Sequence, residues 1–292
     1  MAMGIKAWLR ELELRPQKRL GQNFLVDRRV LGRILAAAEV GSSDTVLEIG
    51  SGLGVLTEAL AGQARRVVTV EIDEQLVAIL RQRLQGLANI EIVVGDILSL
   101  DIAGLMQEEP SRDVHPYKVV ANIPYYITSA VLRHLLEASA RPQLIVLMVQ
   151  REVAERIVAK PGQMSLLAVS VQFYGWPHRV ARVAASSFYP VPKVDSAIVR
   201  IEPHRKLPLA PHHIPQFFDL VRAGFAQRRK QLRNALPRGL TVESERISRA
   251  MAEAGIDERR RAQTLSVDEW IGLYRALASV GNEGTRHQSD AV

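Results

Sequence analysis

The chain is 292 residues long, carries no cysteine, and is 47% apolar and 24% charged. That composition excludes a disordered or collagen-like polymer, and the missing cysteines exclude a disulfide framework, a thiolate metal site and a cysteine nucleophile. Lys and Arg (38) outnumber Asp and Glu (31), and the resulting +7 points toward a polyanionic partner.

The excess is uneven. Residues 42–110 hold four basic and eleven acidic groups, whereas 1–29, 111–205 and 206–292 are each net positive. The opening residues, MAMGIKAWLRELEL, interrupt their apolar positions with charge and lack a signal-peptide core. No run of about 18 apolar residues occurs, so a cytoplasmic protein without a membrane span is expected. Val30, Leu31, Ile34, Leu35 and Ala38 recur at helical spacing and predict a helix within Val26–Val40.

Strand-like and helix-like segments then alternate. Strands are predicted at Thr45–Ile49, Arg66–Glu71, Ile90–Val94, Lys118–Ala121 and Leu144–Val149, as short, nearly continuous apolar runs. Helices are predicted at Gly54–Gln63, Asp73–Gln85, Ser129–Ala138 and Arg151–Ala159. Such alternation marks a doubly wound α/β domain with a buried, mostly parallel sheet. Two more strands, Ser165–Tyr174 and Ser196–Ile201, flank the Pro-punctuated loop FYPVPKVDS and bring the count to seven. PHRKLPLAPHH reads as a linker, with helices beyond it at Pro215–Asn234, Val242–Ala254 and Ser266–Ser279. The predicted organisation is therefore an α/β domain over 1–205, a helical domain over 206–280 and a polar, disordered tail over 281–292.

VLEIGSGLG follows the first parallel strand and places Glu48, Gly50, Gly52 and Gly54 at a strand-to-helix turn, where glycine lets backbone approach a ligand. Glu71 ends the next strand and suits ribose hydroxyls. Asp96 follows the third and suits the exocyclic amine of adenine. An anion at Glu48 fits a cationic ligand such as S-adenosylmethionine better than a pyrophosphate. The next strand ends in Asn122-Ile123-Pro124-Tyr125. The Asn122 side-chain oxygen and the Pro124 carbonyl can accept both N–H groups of an aromatic amine. Tyr125 can stack on the base that carries it. Methyl transfer to such an amine needs no metal. The adjacent His212 and His213 have no acidic partner at ligand spacing, so no metal site is expected. Trp176 and Trp270 read as packing residues.

Seven blocks in one order carry a resemblance: KRLGQNFL (18–25), VLEIGSGLGVLT (46–57), VTVEID (68–73), GDIL (95–98), NIPYYIT (122–128), FYPVPKVDSAIVRI (188–201) and FAQRRKQLRNAL (225–236). The chain resembles the small-subunit ribosomal RNA adenine dimethyltransferases. The resemblance implies a Rossmann-like class I methyltransferase domain and a small helical domain, with S-adenosylmethionine as donor. Its implied substrate is a pair of adjacent adenosines in the 3′-terminal hairpin of 16S rRNA. By motif match, Asn23 and Leu25 contact the donor together with Gly50, Glu71, Asp96 and Asn122. Asn122, Pro124 and Tyr125 hold the target amine, and Phe188 matches a second base-stacking aromatic. Tyr126 departs from the family pattern, in which many bacterial members carry Asn.

Arg228, Arg229, Lys230 and Arg233 form an acid-free run, read as helical and as a phosphate-binding face. Lys18 and Arg19, beside Arg15, make a second basic patch, and Lys193 adds charge near Phe188. A monomer acting on the small ribosomal subunit is expected. Two main rival readings stay open. One is a large-subunit rRNA adenine N6-methyltransferase of the macrolide-resistance type, against which GSGLGVLT and RRKQLRNAL speak. The other is a non-catalytic ribosome-assembly or nucleic-acid-binding factor on the same fold. A DNA adenine methyltransferase is a third.

Overall fold

The computed structural model describes residues 16–107 and 115–286; Arg15 and the opening residues 1–14 lie outside them, as do 287–292 of the predicted tail. The chain runs through Phe24–Leu25 (β1), Arg28–Ala38 (α1), Thr45–Ile49 (β2), Val55–Ala61 (α2), Arg66–Glu71 (β3) and Glu74–Leu84 (α3). It continues with Ile90–Val94 (β4), Ile102–Met106 (α4), Tyr117–Asn122 (β5), Thr128–Glu137 (α5), Leu144–Gln150 (β6) and Arg151–Ile157 (α6). Then come Leu166–Tyr174 (α7), Gly175–Val183 (β7), Phe188–Tyr189 (β8) and Ser196–Pro203 (β9). Four helices follow: Ile214–Ala226 (α8), Leu232–Gly239 (α9), Ser244–Glu253 (α10) and Val267–Arg286 (α11).

Seven strands form one sheet in the order β4-β3-β2-β5-β6-β9-β7. The first five are mutually parallel, and β9 runs antiparallel to both β6 and β7. Every residue of β2 is buried, as are the first six of β6, which is why these strands read as unbroken apolar runs. This is the expected Rossmann-like, mostly parallel sheet. After β2 the chain moves outward through β3 and β4, then returns to lay β5 on the other side of β2. The crevice at the carboxyl ends of β2 and β5 is thus a topological switch point, where open α/β sheets bind ligands.

The chain divides into two compact units, one holding the residues up to Glu155 with Gly175–Pro203, the other Arg156–Tyr174 with the chain from His204. The segment 156–174 therefore belongs with the C-terminal helices rather than with the predicted first domain. Within it, the predicted strand Ser165–Tyr174 is a helix, α7. Its apolar run is buried on several sides, and such a run does not distinguish strand from helix. The Ser165 hydroxyl accepts from the Ala168 N–H at the helix start. Phe173 stacks on Phe217 of α8 at 4.7 Å between ring centres.

β7 was not predicted, because Pro177 and three basic residues break its pattern. It lies at the sheet edge, where a residue without an N–H is tolerated. Trp176 on this strand is 66% exposed, contrary to its reading as a packing residue, whereas Trp270 is fully buried. The predicted helix Pro215–Asn234 breaks at Gln227, whose φ of −126° and ψ of 76° end α8 before α9 begins. The last helix runs on to Arg286, past the predicted start of the tail. Among the described residues no helix is long and apolar enough to cross a membrane.

Candidate active site

A cavity of about 320 Å³ opens at the switch point, within the first unit. Its lining takes Asn23 just before β1 and Leu25 within it, Glu48 from β2 and Gly50 from the turn after it, Glu71 from β3, Asp96 after β4, and Asn122, Pro124 and Tyr125 at the end of β5. Every residue expected at the donor site thus meets in one space. So do three of the four expected around the target amine.

Gly50, Gly52 and Gly54 all have positive φ (75°, 56° and 75°), so the turn from β2 into α2 has a left-handed backbone that side chains resist. This shape points the Gly52 N–H at Glu71 Oε2, 2.9 Å away. Glu71 Oε1 accepts from the N–H groups of Ile72 and Asp73, each at 3.0 Å. Burial raises the pKa of Glu71 despite these three donors. With Oε1 already serving two N–H groups, Oε2 is the oxygen with capacity left for a ligand hydroxyl.

Glu48 lies deeper than a strand-end charge. It is fully buried, and its Oε2 accepts from the hydroxyls of Thr57 (2.6 Å) and Thr69 (2.8 Å). Its Oε1 has no partner, and burial pushes its pKa up to about 7. Ser51 Oγ is likewise buried and unpartnered, and both residues line the cavity. Orphaned buried polar atoms are uncommon in folded proteins, so the pair marks a place built for polar ligand atoms. The volume, the glycine turn and three carboxylates fit a nucleoside-sized cationic donor. Asp96 is exposed, with Oδ1 accepting from the Leu98 N–H.

The Asn122 side chain is oriented by Asn23. Its Nδ2 donates to the Asn23 carbonyl at 3.3 Å. A carbonyl can only accept, so the amide must turn its Oδ1 the other way, as an acceptor. The Pro124 carbonyl accepts from Ile127 N at 3.2 Å and keeps a second lone pair. Tyr125 is half-buried, and its hydroxyl meets Ser196 Oγ at 2.7 Å.

Phe188 corrects the sequence reading. It pairs with Leu25 in the two-stranded sheet of β1 and β8, is 1% exposed, and packs into the core with Val30 and Ile34. It does not line the cavity, because this pairing turns its ring inward. The sequence reading also missed the anchor of the N-terminal segment. Asp73 Oδ2 accepts from Gln17 Nε2 (2.9 Å) and Gln22 Nε2 (2.8 Å), which ties the segment before β1 to the start of α3. Asp73 also caps that helix through Gln75 N. An Asx cap signal was visible there, but nothing pointed to its long-range partners.

The basic residues fall into separate places. Lys18 lies in a 3-10 turn, Lys18–Leu20, and its side chain is outside the described residues. Arg19 is exposed, with Nε donating to Gln17 Oε1. Lys193 is exposed in the loop before β9. Arg228, Arg229 and Lys230 are exposed on a turn rather than on the helix expected. Arg233 belongs to the next helix and lies 3.8 Å from Glu258, so it shares no helical face with Arg229.

Residues 14–279 match the family described as ribosomal RNA adenine dimethylase. A curated relative from Dehalococcoides mccartyi, ribosomal RNA small subunit methyltransferase A, is 48% identical over 257 residues, covering 88% of this chain and 87% of the relative. Among solved structures, a dimethyladenosine transferase from Plasmodium falciparum is similar at a TM-score of 0.74 and 28% identity, over 88% of this chain and 98% of that one. The 23S rRNA methyltransferase ErmE is similar at 0.69 and 32%, over 88% and 100%.

Proposed function

The chain belongs to the ribosomal RNA adenine dimethylase family, and from that footing we propose that it methylates N6 of two adjacent adenosines in the 3′-terminal hairpin of small-subunit rRNA. The products are N6,N6-dimethyladenosines, made in the cytoplasm during ribosome biogenesis by a monomer. S-adenosylmethionine, when bound, supplies a methyl group on a cationic sulfur that leaves with the bonding electron pair.

The residues of this chain do the rest by position and charge. Glu71 Oε2 would hold a ribose hydroxyl of the donor, Asp96 would accept from its adenine amine, and Glu48 Oε1 would supply negative charge to balance its cation. Asn23, Leu25 and Gly50 shape the walls. On the target side, Asn122 Oδ1 and the Pro124 carbonyl accept the two N–H groups of the adenosine N6. Adenine N6 is a poor nucleophile because its lone pair is delocalised into the ring. Two acceptors below the amine favour a pyramidal nitrogen whose lone pair is directed at the methyl group. Tyr125 stacks on the base and holds that direction. Neither acceptor is basic enough to keep the proton the nitrogen sheds, which passes to water.

The observation that carries this reading is the Asn122–Asn23 hydrogen bond, because it presents Oδ1 as an acceptor before substrate arrives. The 48% identity to a small-subunit enzyme, against 32% to a large-subunit one, supports the choice of RNA. Phosphate contacts are assigned to Lys18, Arg19, Lys193, Arg228, Arg229, Lys230 and Arg233.

The test offers labelled donor with small subunits lacking the modification, with large subunits and with DNA, and maps the product by mass spectrometry. Dimethylated adenosine in small-subunit RNA is expected. Label confined to large-subunit RNA or DNA, or no label at all, overturns the proposal.

A further inference from the structure

We propose that Tyr126 is a specificity-determining residue, whose ring is the stacking platform for the nucleobase next to the adenosine being methylated. This rests on the RNA-adenine reading above.

Three aromatic residues line the cavity among the described residues: Phe24, Tyr125 and Tyr126. Phe24 is buried against Leu53 and Leu76, and Tyr125 is half-buried with its hydroxyl on Ser196. Tyr126 is 66% exposed. Consecutive residues of the 3-10 turn Tyr125–Ile127 point about 120° apart. One tyrosine therefore serves the interior while its neighbour stands at the rim. Phe188, the other candidate for a second ring, is in the core.

The rim ring is held in place. A Cβ on Gly21 would lie 3.3 Å from Tyr126 Cε1, 3.4 Å from Cδ1 and 3.2 Å from Pro124 Cβ, so the ring rests against glycine backbone. Gly21 has a φ of 62°, and the next residue, Gln22, is tied to Asp73. Arg19, two residues before Gly21, is exposed and supplies positive charge for the adjoining phosphate. A pre-placed, exposed aromatic face is an arrangement that captures an unpaired base, and every base has a face to offer. With the target base drawn in toward Asn122, its covalent neighbour is the base that reaches the rim. For a substrate with two adjacent adenosines, that neighbour is the second target.

The test uses an RNA hairpin carrying 2-aminopurine beside the target adenosine, with wild type, Tyr126→Phe, Tyr126→Ala and Tyr126→Asn. Stacking quenches the probe. Quenching in wild type and Tyr126→Phe is expected to be lost in Tyr126→Ala and Tyr126→Asn, with RNA affinity falling roughly tenfold. Donor affinity and melting temperature are expected to stay unchanged. Equal quenching and equal RNA KM in Tyr126→Ala overturn the proposal. If wild type instead quenches the probe but methylates no small-subunit RNA, the functional reading fails while the stacking role stands.

Discussion

The hydroxyl of Tyr125 lies 2.7 Å from that of Ser196, a fully buried residue at the start of β9. The ring expected to stack on the target base is therefore oriented from across the sheet, by the strand that follows the FYPVPKVD loop. Ser196→Ala removes that tether without changing the ring. A hydrogen bond of this kind is worth about 1 kcal/mol, so kcat/KM for RNA should fall about fivefold. Tyr125→Phe should match it, and the double variant should be no worse than either single one. Additive losses in steady-state kinetics would show that the two hydroxyls act separately.

Asn122→Ala removes the acceptor that the Asn23 carbonyl orients. The single-turnover methylation rate should drop at least about 100-fold, in line with loss of a preorganised group at a reacting centre. RNA affinity by filter binding should hold. Asn122→Asp should fare no better, because a carboxylate cannot donate to the Asn23 carbonyl and is repelled by it.

Glu48 makes the fold sensitive to pH. Its carboxyl is pushed up to about 7 in the folded chain from an ordinary 4.5, so between those values the fold binds more protons than the unfolded chain. Stability contributed by the neutral form is present below about pH 4.5 and is lost as pH rises to about 7. The eventual cost is on the order of 3 kcal/mol. The melting temperature of ligand-free protein should decline over that window, and Glu48→Gln should flatten the decline. A cationic donor favours the ionised form, so its affinity should rise from pH 6 to pH 8 in wild type. Calorimetry in buffers of different ionisation heat should show proton release on binding, and none in Glu48→Gln.

Arg228, Arg229 and Lys230 stand exposed on one turn, whereas Arg233 lies near Glu258. Alanine at any of the first three should lower the slope of log affinity against log salt by about 1. Arg233→Ala should change it less. Salt-dependent RNA binding checks both, and equal slopes for all four would show that Glu258 does not weaken Arg233 as a phosphate contact.

β2, β3 and β6 were legible because nearly every residue in them is buried, whereas the partly exposed edge strand β4 was legible from its apolar run alone; β2, β3 and β4 match their predicted bounds residue for residue. Where a strand has a wet side, as β7 does, the apolar signal is diluted and Pro177 obscures it. α7 was misread for the opposite reason, since burial on several sides erases periodicity. The cavity residues were legible as strand-end acids, glycines and N-I-P-Y. Their supports were not: Asn23 beneath Asn122, Asp73 holding Gln17 and Gln22, and Ser196 under Tyr125 all act across long stretches of chain. Phe188 was placed by motif alone, and the motif does not say which way a ring on a two-residue strand turns.

Because α7 is encoded ahead of β7 and β9, the order of synthesis matters. The helix leaves the ribosome before its partner Phe217 exists, while the chain between them, 175–203, completes the sheet. Phe173 and Tyr174 must wait, unsatisfied, until α8 emerges. A protein cut after Pro203 would carry that apolar helix permanently without its partners, so truncation there should yield an aggregating fragment rather than a free catalytic unit.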